Sequence, residues 1–489
     1  MTGKPLTSSG TRKRRALFWG VAGRFIKRLS TFLVSIFLAR LLLPTDFGLI
    51  AIVSAILSWS DIFLDFGFGQ ALVQMKKVSS VQLNTVFYIN CFMASLIYFV
   101  LYASSPFIAD FFGLQDIELL IMLLALSLFP NALRNVQASL MVKKLQFGKL
   151  TFIESTSNLT SGVLSILAAL CGWGIWSLVV QQLFASILKF FLTWFSSSWR
   201  PKCEFSVKKF SPILKYSYPL FAIGVLDSLV MRIDTFYIGK IMSPGLLGIY
   251  NRGKSIAELA NTSLLLPITR TLFPIMSLEQ EKEKKLKKQF FQLLGLLFFV
   301  FFPIQAVFFL VAEELILFVY TSKWLSSLIY LKFFVLLTPV FPLSFLSNTL
   351  YKAVGRTKLV FLKSLIERGV IICSIFIGLR FGFNNFLLSL FVLYYCFFVF
   401  VMILNKLKLG LSISRQVRPF AVFFLLTSVL VTMLFAVKTH ILIVDLFVGP
   451  CLLFALFVLA CRLFHFPEYS YFINEIRSLK VFEKLIFNR

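Results

Sequence analysis

Charge is scarce in this chain: Asp, Glu, Lys and Arg make up 14% of 489 residues. Acidic residues are scarcer still, 21 against 49 Lys and Arg, and the only histidines are His440 and His465. A soluble protein of this length needs far more polar residues to cover its surface, so a soluble enzyme is excluded. The seven cysteines form no Cys-x-x-Cys pair and no Cys/His cluster, and six of them fall in apolar runs where Cys acts as a small hydrophobe. No disulfide, metal or cofactor is expected from them. Met1–Arg15 is polar and basic, lacks a cleavage site, and reads as a cytoplasmic tail ahead of a retained helix. Long polar stretches are also missing, so no folded soluble domain fits between the apolar runs.

Apolar material fills the chain instead. Hydrophobic residues reach 58%, aromatics 17%, phenylalanine alone counts 60, and mean hydropathy is +0.88. A disordered chain is excluded by the apolar content, and an outer-membrane barrel by runs that are continuous rather than alternating. An all-α polytopic membrane protein remains. A span needs about 20 apolar residues. About fourteen fit, at roughly 17–43, 47–69, 83–104, 117–137, 152–171, 174–195, 213–240, 245–273, 289–312, 325–350, 359–380, 386–405, 417–437 and 441–462.

With Met1 inside, the basic residues concentrate in the inner segments, for example Lys143, Lys144 and Lys149, or Lys352, Arg356, Lys358 and Lys363. The outer loops hold only Lys240, Lys323, Arg380 and Lys438. This asymmetry predicts an even number of spans with both termini cytoplasmic. It accounts for the net charge of +28 without nucleic acid. The longest outer loops are expected around Pro106–Asp116 and Glu313–Lys323.

Two segments repeat. Leu38-Ala-Arg40-Leu-Leu-Leu-Pro44-Thr-Asp46-Phe-Gly48-Leu49 aligns with Ile238-Gly-Lys240-Ile-Met-Ser-Pro244-Gly-Leu-Leu-Gly248-Ile249. Each carries a basic residue, then a tight Pro/Gly turn into the next helix. Six spans per copy in one orientation predict a parallel repeat, a transporter architecture with the substrate path between halves. The expected organisation is a tail at 1–16, an N-lobe at 17–205, a C-lobe at 206–405, two further spans at 406–462 and a cytoplasmic tail at 463–489.

Three stretches carry a family resemblance. Leu38–Gly48 resembles the Leu-Ala-Arg, Pro and Asp-Phe-Gly signature of bacterial polysaccharide transporters. Asp65-Phe-Gly-Phe-Gly-Gln-Ala-Leu-Val-Gln74 resembles a second element of that family, and Leu246–Arg252 resembles a third. The resemblance covers the first 275 or so residues. It implies a lipopolysaccharide or exopolysaccharide flippase of the superfamily that includes the multidrug and toxin extrusion (MATE) transporters. The implied fold is two six-helix lobes around a central cavity plus two C-terminal helices. The implied substrate is an undecaprenyl-pyrophosphate-linked oligosaccharide moved across the bacterial inner membrane.

A charge at the bilayer centre costs at least about 2.5–3.5 kcal/mol, so in-span charges need a reason. Arg24, Lys27 and Arg28 stand at i, i+3 and i+4 and share a face with Thr31. That face fits a cationic cavity wall for pyrophosphate, or residues snorkelling to lipid phosphates. Asp61 and Asp65 lie one turn apart and suit either neutralising those cations or carrying a coupling proton, while Asp65-Phe-Gly also reads as a turn. Asp234, Arg252, Lys254 and Glu258 make the seventh and eighth spans polar. Arg252 or Lys254 is a candidate for phosphate or a sugar carboxylate, Asp234 for a pairing partner, and Arg270 for either a cavity cation or an inner-surface anchor. Glu154, Lys332, Glu367 and Arg368 are in-span charges without an evident partner.

Gly248–Ser255 matches G-x-x-x-x-G-K-[ST], but no strand and no soluble α/β domain accompany it, so no nucleotide is expected. Transport would then draw on the membrane potential, consumption of the product, or a H+ or Na+ gradient. Polysaccharide polymerase or assembly proteins are the expected partners besides membrane lipid. A drug or cation antiporter of the same superfamily is the alternative, disfavoured by the cationic face. A membrane polymerase or ligase is a third reading, disfavoured by the short outer loops.

Overall fold

The computed structural model describes residues 23, 29–259, 276, 283–439, 441–470 and 473. Among these residues every regular element is helical. The chain divides into two compact units, Met1–Gly248 and Ile249–Arg489.

The first unit holds α1 (Leu29–Leu41), α2 (Pro44–Asp65), α3 (Phe68–Gln74), α4 (Ser80–Phe112), α5 (Asp116–Ala125), α6 (Leu128–Lys143), α7 (Phe147–Leu170), α8 (Trp176–Ser196) and α9 (Val207–Ile241). Helix α10, residues 244–259, leads into the second. There follow α11 (Glu283–Leu310), α12 (Ala312–Val319), α13 (Leu328–Leu337), α14 (Phe341–Ala353), α15 (Thr357–Phe381), α16 (Phe383–Leu409), α17 (Ile413–Ala436) and α18 (Leu442–Leu463).

Among the described residues nine helical stretches are long and apolar enough to cross a membrane, which makes this a multi-pass membrane protein. Helices α7, α9 and α15 have spanning length, 24, 35 and 25 residues, but fall outside that set on composition. The expected outer loops are mostly helix. α4 continues through Pro106 to Phe112, and α12 occupies much of 313–323. Proline 106 removes the donor for the carbonyl of Tyr102, and Ser105 Oγ donates to that carbonyl at 2.8 Å. The same substitution recurs at Pro339, where Thr338 Oγ1 donates to the Val335 carbonyl at 3.0 Å. At Pro106 the hydroxyl before the proline keeps the helix going where the sequence suggests a stop, while at Pro339 the chain tightens into a 3₁₀ turn.

Two helices are broken in mid-course. α5 gives way to α6 across Leu126 and Ser127, where Leu126 and Ser127 donate backward over three residues to Leu123 and Leu124. α13 gives way to α14 through a 3₁₀ turn, Thr338–Val340.

The repeat copies meet. Pro44 opens α2, with Asp46 accepting from the Leu43 amide at 2.9 Å, and Ser243 Oγ accepts from the Leu246 amide at 3.2 Å at the start of α10. A methyl group at Gly48 would strike the carbonyl of Pro244, and one at Gly248 would strike the carbonyl of Pro44. The contact is reciprocal, and only glycine lets the two backbones approach this closely. Helix α9 then runs along α2. Trp59 Nε1 donates to the Ser228 carbonyl at 3.1 Å, its ring stacks on Phe236 at 4.5 Å, and Phe66 stacks on Phe221 at 3.9 Å.

The second unit is held by enclosed polar groups. Tyr351 donates to Asn405 Oδ1 at 2.6 Å, and Asn405 Nδ2 donates to Ser347 Oγ at 2.9 Å and Gln416 Oε1 at 2.8 Å, tying α14, α16 and α17 together. Lys363, which its sequence position puts in an inner segment, is enclosed by protein. Its side chain is 0% exposed, donating to the Ser344 carbonyl at 3.1 Å and to Ser344 Oγ. Glu367, one turn on, completes the pair at 3.7 Å. Lys438 pairs with Glu314 at 2.6 Å.

Candidate functional site

A cavity of about 360 Å³ opens inside the first unit. Helical spacing builds its wall. Ser54, Ser58 and Asp61 stand at i, i+4 and i+7 on α2, so they share a face. Gln182, Ser186 and Lys189 do the same on α8, with Gln181 beside them. Asn158 and Ser161 come from α7, and Ser127 and Asn131 from the α5–α6 break. Helices α2 and α8 are otherwise largely apolar, so their stripes can face neither lipid nor a dry core without cost.

Asp61 opens onto this space and accepts a hydrogen bond from Asn131. Its electrostatic neighbours are Arg134, Asp65 and Lys189. Arg134 in turn lies in the field of Glu154, which gives that acid a counter-charge. Arg134 Nε is buried without a hydrogen-bond partner. One acid, Asp61, and one base, Lys189, thus face the cavity, with Arg134, Asp65 and Glu154 behind its wall. The sequence reading overlooked Arg134 and Lys189, though both are basic residues inside apolar segments. Arg134 follows Asn131 by three residues and Lys189 follows Gln182 by seven, a helical register that marks the same face.

Asp65 serves the chain turn below. Its Oδ1 accepts from the Gly69 amide at 3.1 Å and from Asn135 Nδ2 at 2.8 Å. The turn passes through Phe66 and Gly67 in the left-handed region, φ 47° and 79°. Lys143 braces the next helix end by donating to the carbonyls of Leu72 at 3.0 Å and Met75 at 2.5 Å. Asp234 is buried, and its Oδ1 accepts from the Thr235 amide at 2.8 Å.

In the second unit Arg252 is 8% exposed, its guanidinium carbon 4.8 Å from the Tyr320 ring centre and 4.9 Å from that of Trp324. It also hydrogen-bonds the Tyr320 side chain. Lys254 approaches the rings of Tyr250 and Phe334 at 5.8 and 5.9 Å, and Glu258 is half-buried. Lys332 lies over Phe309 and Phe435. Arg24, Lys27, Arg28 and Arg270 lie outside the described residues. Among the described residues no group of three or more His, Cys, Asp or Glu side chains could hold a metal.

Residues 37–329 match a family described as polysaccharide biosynthesis protein. The chain is 26% identical over 271 residues to the teichuronic acid biosynthesis protein TuaB of Bacillus subtilis, covering 55% of this chain and 56% of that one. It is 25% identical over 295 residues to the lipopolysaccharide biosynthesis protein WzxC of Escherichia coli, covering 59% of each. These matches span little more than half the length of those relatives. Among solved structures, the lipid II flippase MurJ in an inward closed conformation superposes with TM-score 0.73 at 17% identity, over 91% of this chain and 99% of that one. An inward-facing MATE multidrug transporter superposes with TM-score 0.59 at 13% identity, over 78% and 94%. The first of these likenesses covers nearly the whole chain, so the helices described above follow a MurJ/MATE-like fold. By its sequence match, the chain belongs to the polysaccharide biosynthesis protein family.

Proposed function

We propose that this protein is a flippase. It moves an undecaprenyl-pyrophosphate-linked oligosaccharide from the cytoplasmic to the outer leaflet of a bacterial inner membrane, for lipopolysaccharide, capsule or exopolysaccharide assembly. Membership of the polysaccharide biosynthesis family is the observation that carries this reading. The charged, hydroxyl-lined cavity supports it, because a purely structural bundle has no use for a polar hollow at membrane depth. In this reading fourteen spans form two six-helix lobes and a C-terminal pair, both termini are cytoplasmic, and the lobes alternate access. Arg24, Lys27, Arg28, Arg252, Lys254 and Arg270 attract the pyrophosphate or acidic sugars. Asp61, which opens onto the cavity, carries the coupling proton, with Asp65, Asp234 and Glu258 in pairing roles. Polymerase and assembly proteins take the product onward.

The test follows the lipid-linked intermediate in each leaflet of a deletion strain carrying wild type, Asp61→Asn or Arg24→Ala. Wild type clears the inner leaflet, and both variants leave the intermediate there. Unchanged intermediates in the deletion strain would overturn the flippase reading. A drug antiporter would need an aromatic or net-acidic pocket, and this cavity is neither.

A further inference from the structure

We propose that the cavity of the first unit is a subsite for one uncharged sugar residue of the transported glycan. The residues that hold it are Asn158, Gln181 and Ser127. The inference rests on the flippase reading and goes beyond it by assigning the sugar, rather than the pyrophosphate, to this place.

Hydrogen-bonding capacity is the first argument. The carboxamides of Asn158 and Gln181 and the hydroxyl of Ser127 line the cavity and make no side-chain hydrogen bond to the protein among the described residues. Neighbouring amides behave differently: Asn131 is bonded to Asp61, Gln182 to Ser54, and Asn135 to Asp65. Carboxamides offer a donor and an acceptor side by side, and sugar hydroxyls need both. Three such groups left over on one cavity wall match a ligand rich in hydroxyls.

Charge is the second argument. Asp61 and Lys189 both reach the cavity, so neither an anion nor a cation is singled out. No aromatic side chain lines it, which disfavours a flat drug-like cation. Size is the third. At about 360 Å³ the space lies at the lower end of the roughly 300–1,000 Å³ of small-molecule sites. That suits a single ring and not a chain of them. Finally, Ser127 sits at the break between α5 and α6, and interrupted membrane helices are where transporters bring backbone and short side chains to a ligand.

The experiment uses the full chain in lipid nanodiscs. Saturation-transfer NMR is recorded with methyl α-glucopyranoside and with methyl N-acetylglucosaminide, and inorganic pyrophosphate is added as a competitor. Wild type gives glycoside signals that pyrophosphate leaves in place. Asn158→Ala and Gln181→Ala each lower them about fivefold or more, as the loss of one hydrogen bond predicts. Both side chains face the cavity, so the variants keep the wild-type melting temperature, measured in parallel. Absence of a glycoside signal from wild type, or signals unchanged in both variants that melt normally, overturns the subsite. The leaflet assay separates the two claims. If wild type clears the intermediate but binds no glycoside, the subsite falls and the flippase stands. If wild type clears nothing, both fall.

Discussion

The two units treat buried polarity in opposite ways. In the first, Asp61 and Lys189 face open space, and the amides of Asn158 and Gln181 keep their hydrogen-bonding groups unspent. In the second, polar groups are closed in. Arg252 is wedged between two rings, Lys363 is wrapped by Ser344 and Glu367, and Asn405 is bonded on all sides. Enclosed and satisfied polar groups fix one packing, whereas groups facing a cavity remain available to a ligand or a proton. The first unit thus keeps free hydrogen-bonding capacity on a cavity wall, whereas Asn405 and Lys363 of the second are satisfied in place.

That contrast can be broken by substitution. The largest effect is expected from Arg252→Ala, which removes a desolvated cation from two aromatic faces and leaves a hole. A loss of about 3 kcal/mol would appear as a lower melting temperature in detergent, and transport per folded molecule falls as well, because the same cation attracts the substrate. Unchanged transport per folded molecule would confine Arg252 to its packing between the two rings. Asn405→Leu orphans Tyr351, Ser347 and Gln416 and should cost about 2 kcal/mol in the same melt. Asp61→Asn should do the reverse. Stability stays within about 0.5 kcal/mol, as for an accessible position, while leaflet clearance slows about tenfold. Lys143→Met should cost about 1 kcal/mol and leave clearance per folded molecule unchanged, because two carbonyls at the end of α3 lose their shared donor but stay near water.

Much of this was readable from residue order alone. Apolar length marks where helices lie, and Asp65-Phe-Gly announces its turn because a left-handed residue followed by glycine needs a nearby acceptor. The Pro/Gly repeat is visible as spacing, but its reciprocal docking is not, since nothing in one strand of text says that Gly48 touches Pro244. Arg134 and Lys189 escaped because a long apolar run masks a single basic residue. The serines and amides of the cavity escaped for another reason. Their hydropathy is middling, and only the helical register of 54, 58 and 61, or of 182, 186 and 189, distinguishes a wall from scattered polar residues. The end of α4 was blurred by Ser105, whose hydroxyl repairs the break that Pro106 announces.

The docking of α9 along α2 carries a consequence for biosynthesis. Helix α2 ends at Asp65, yet its partner begins at Val207 and the reciprocal glycine lies at 248. At about 5–20 residues per second, a ribosome needs on the order of ten seconds to bridge that interval. Until then the Trp59 ring and the Gly48 groove wait in the bilayer without the helices that cover them. The N-terminal unit of this protein is therefore completed late, by a segment from the second copy of the repeat, and a chain truncated before residue 207 should be a ready target for quality control.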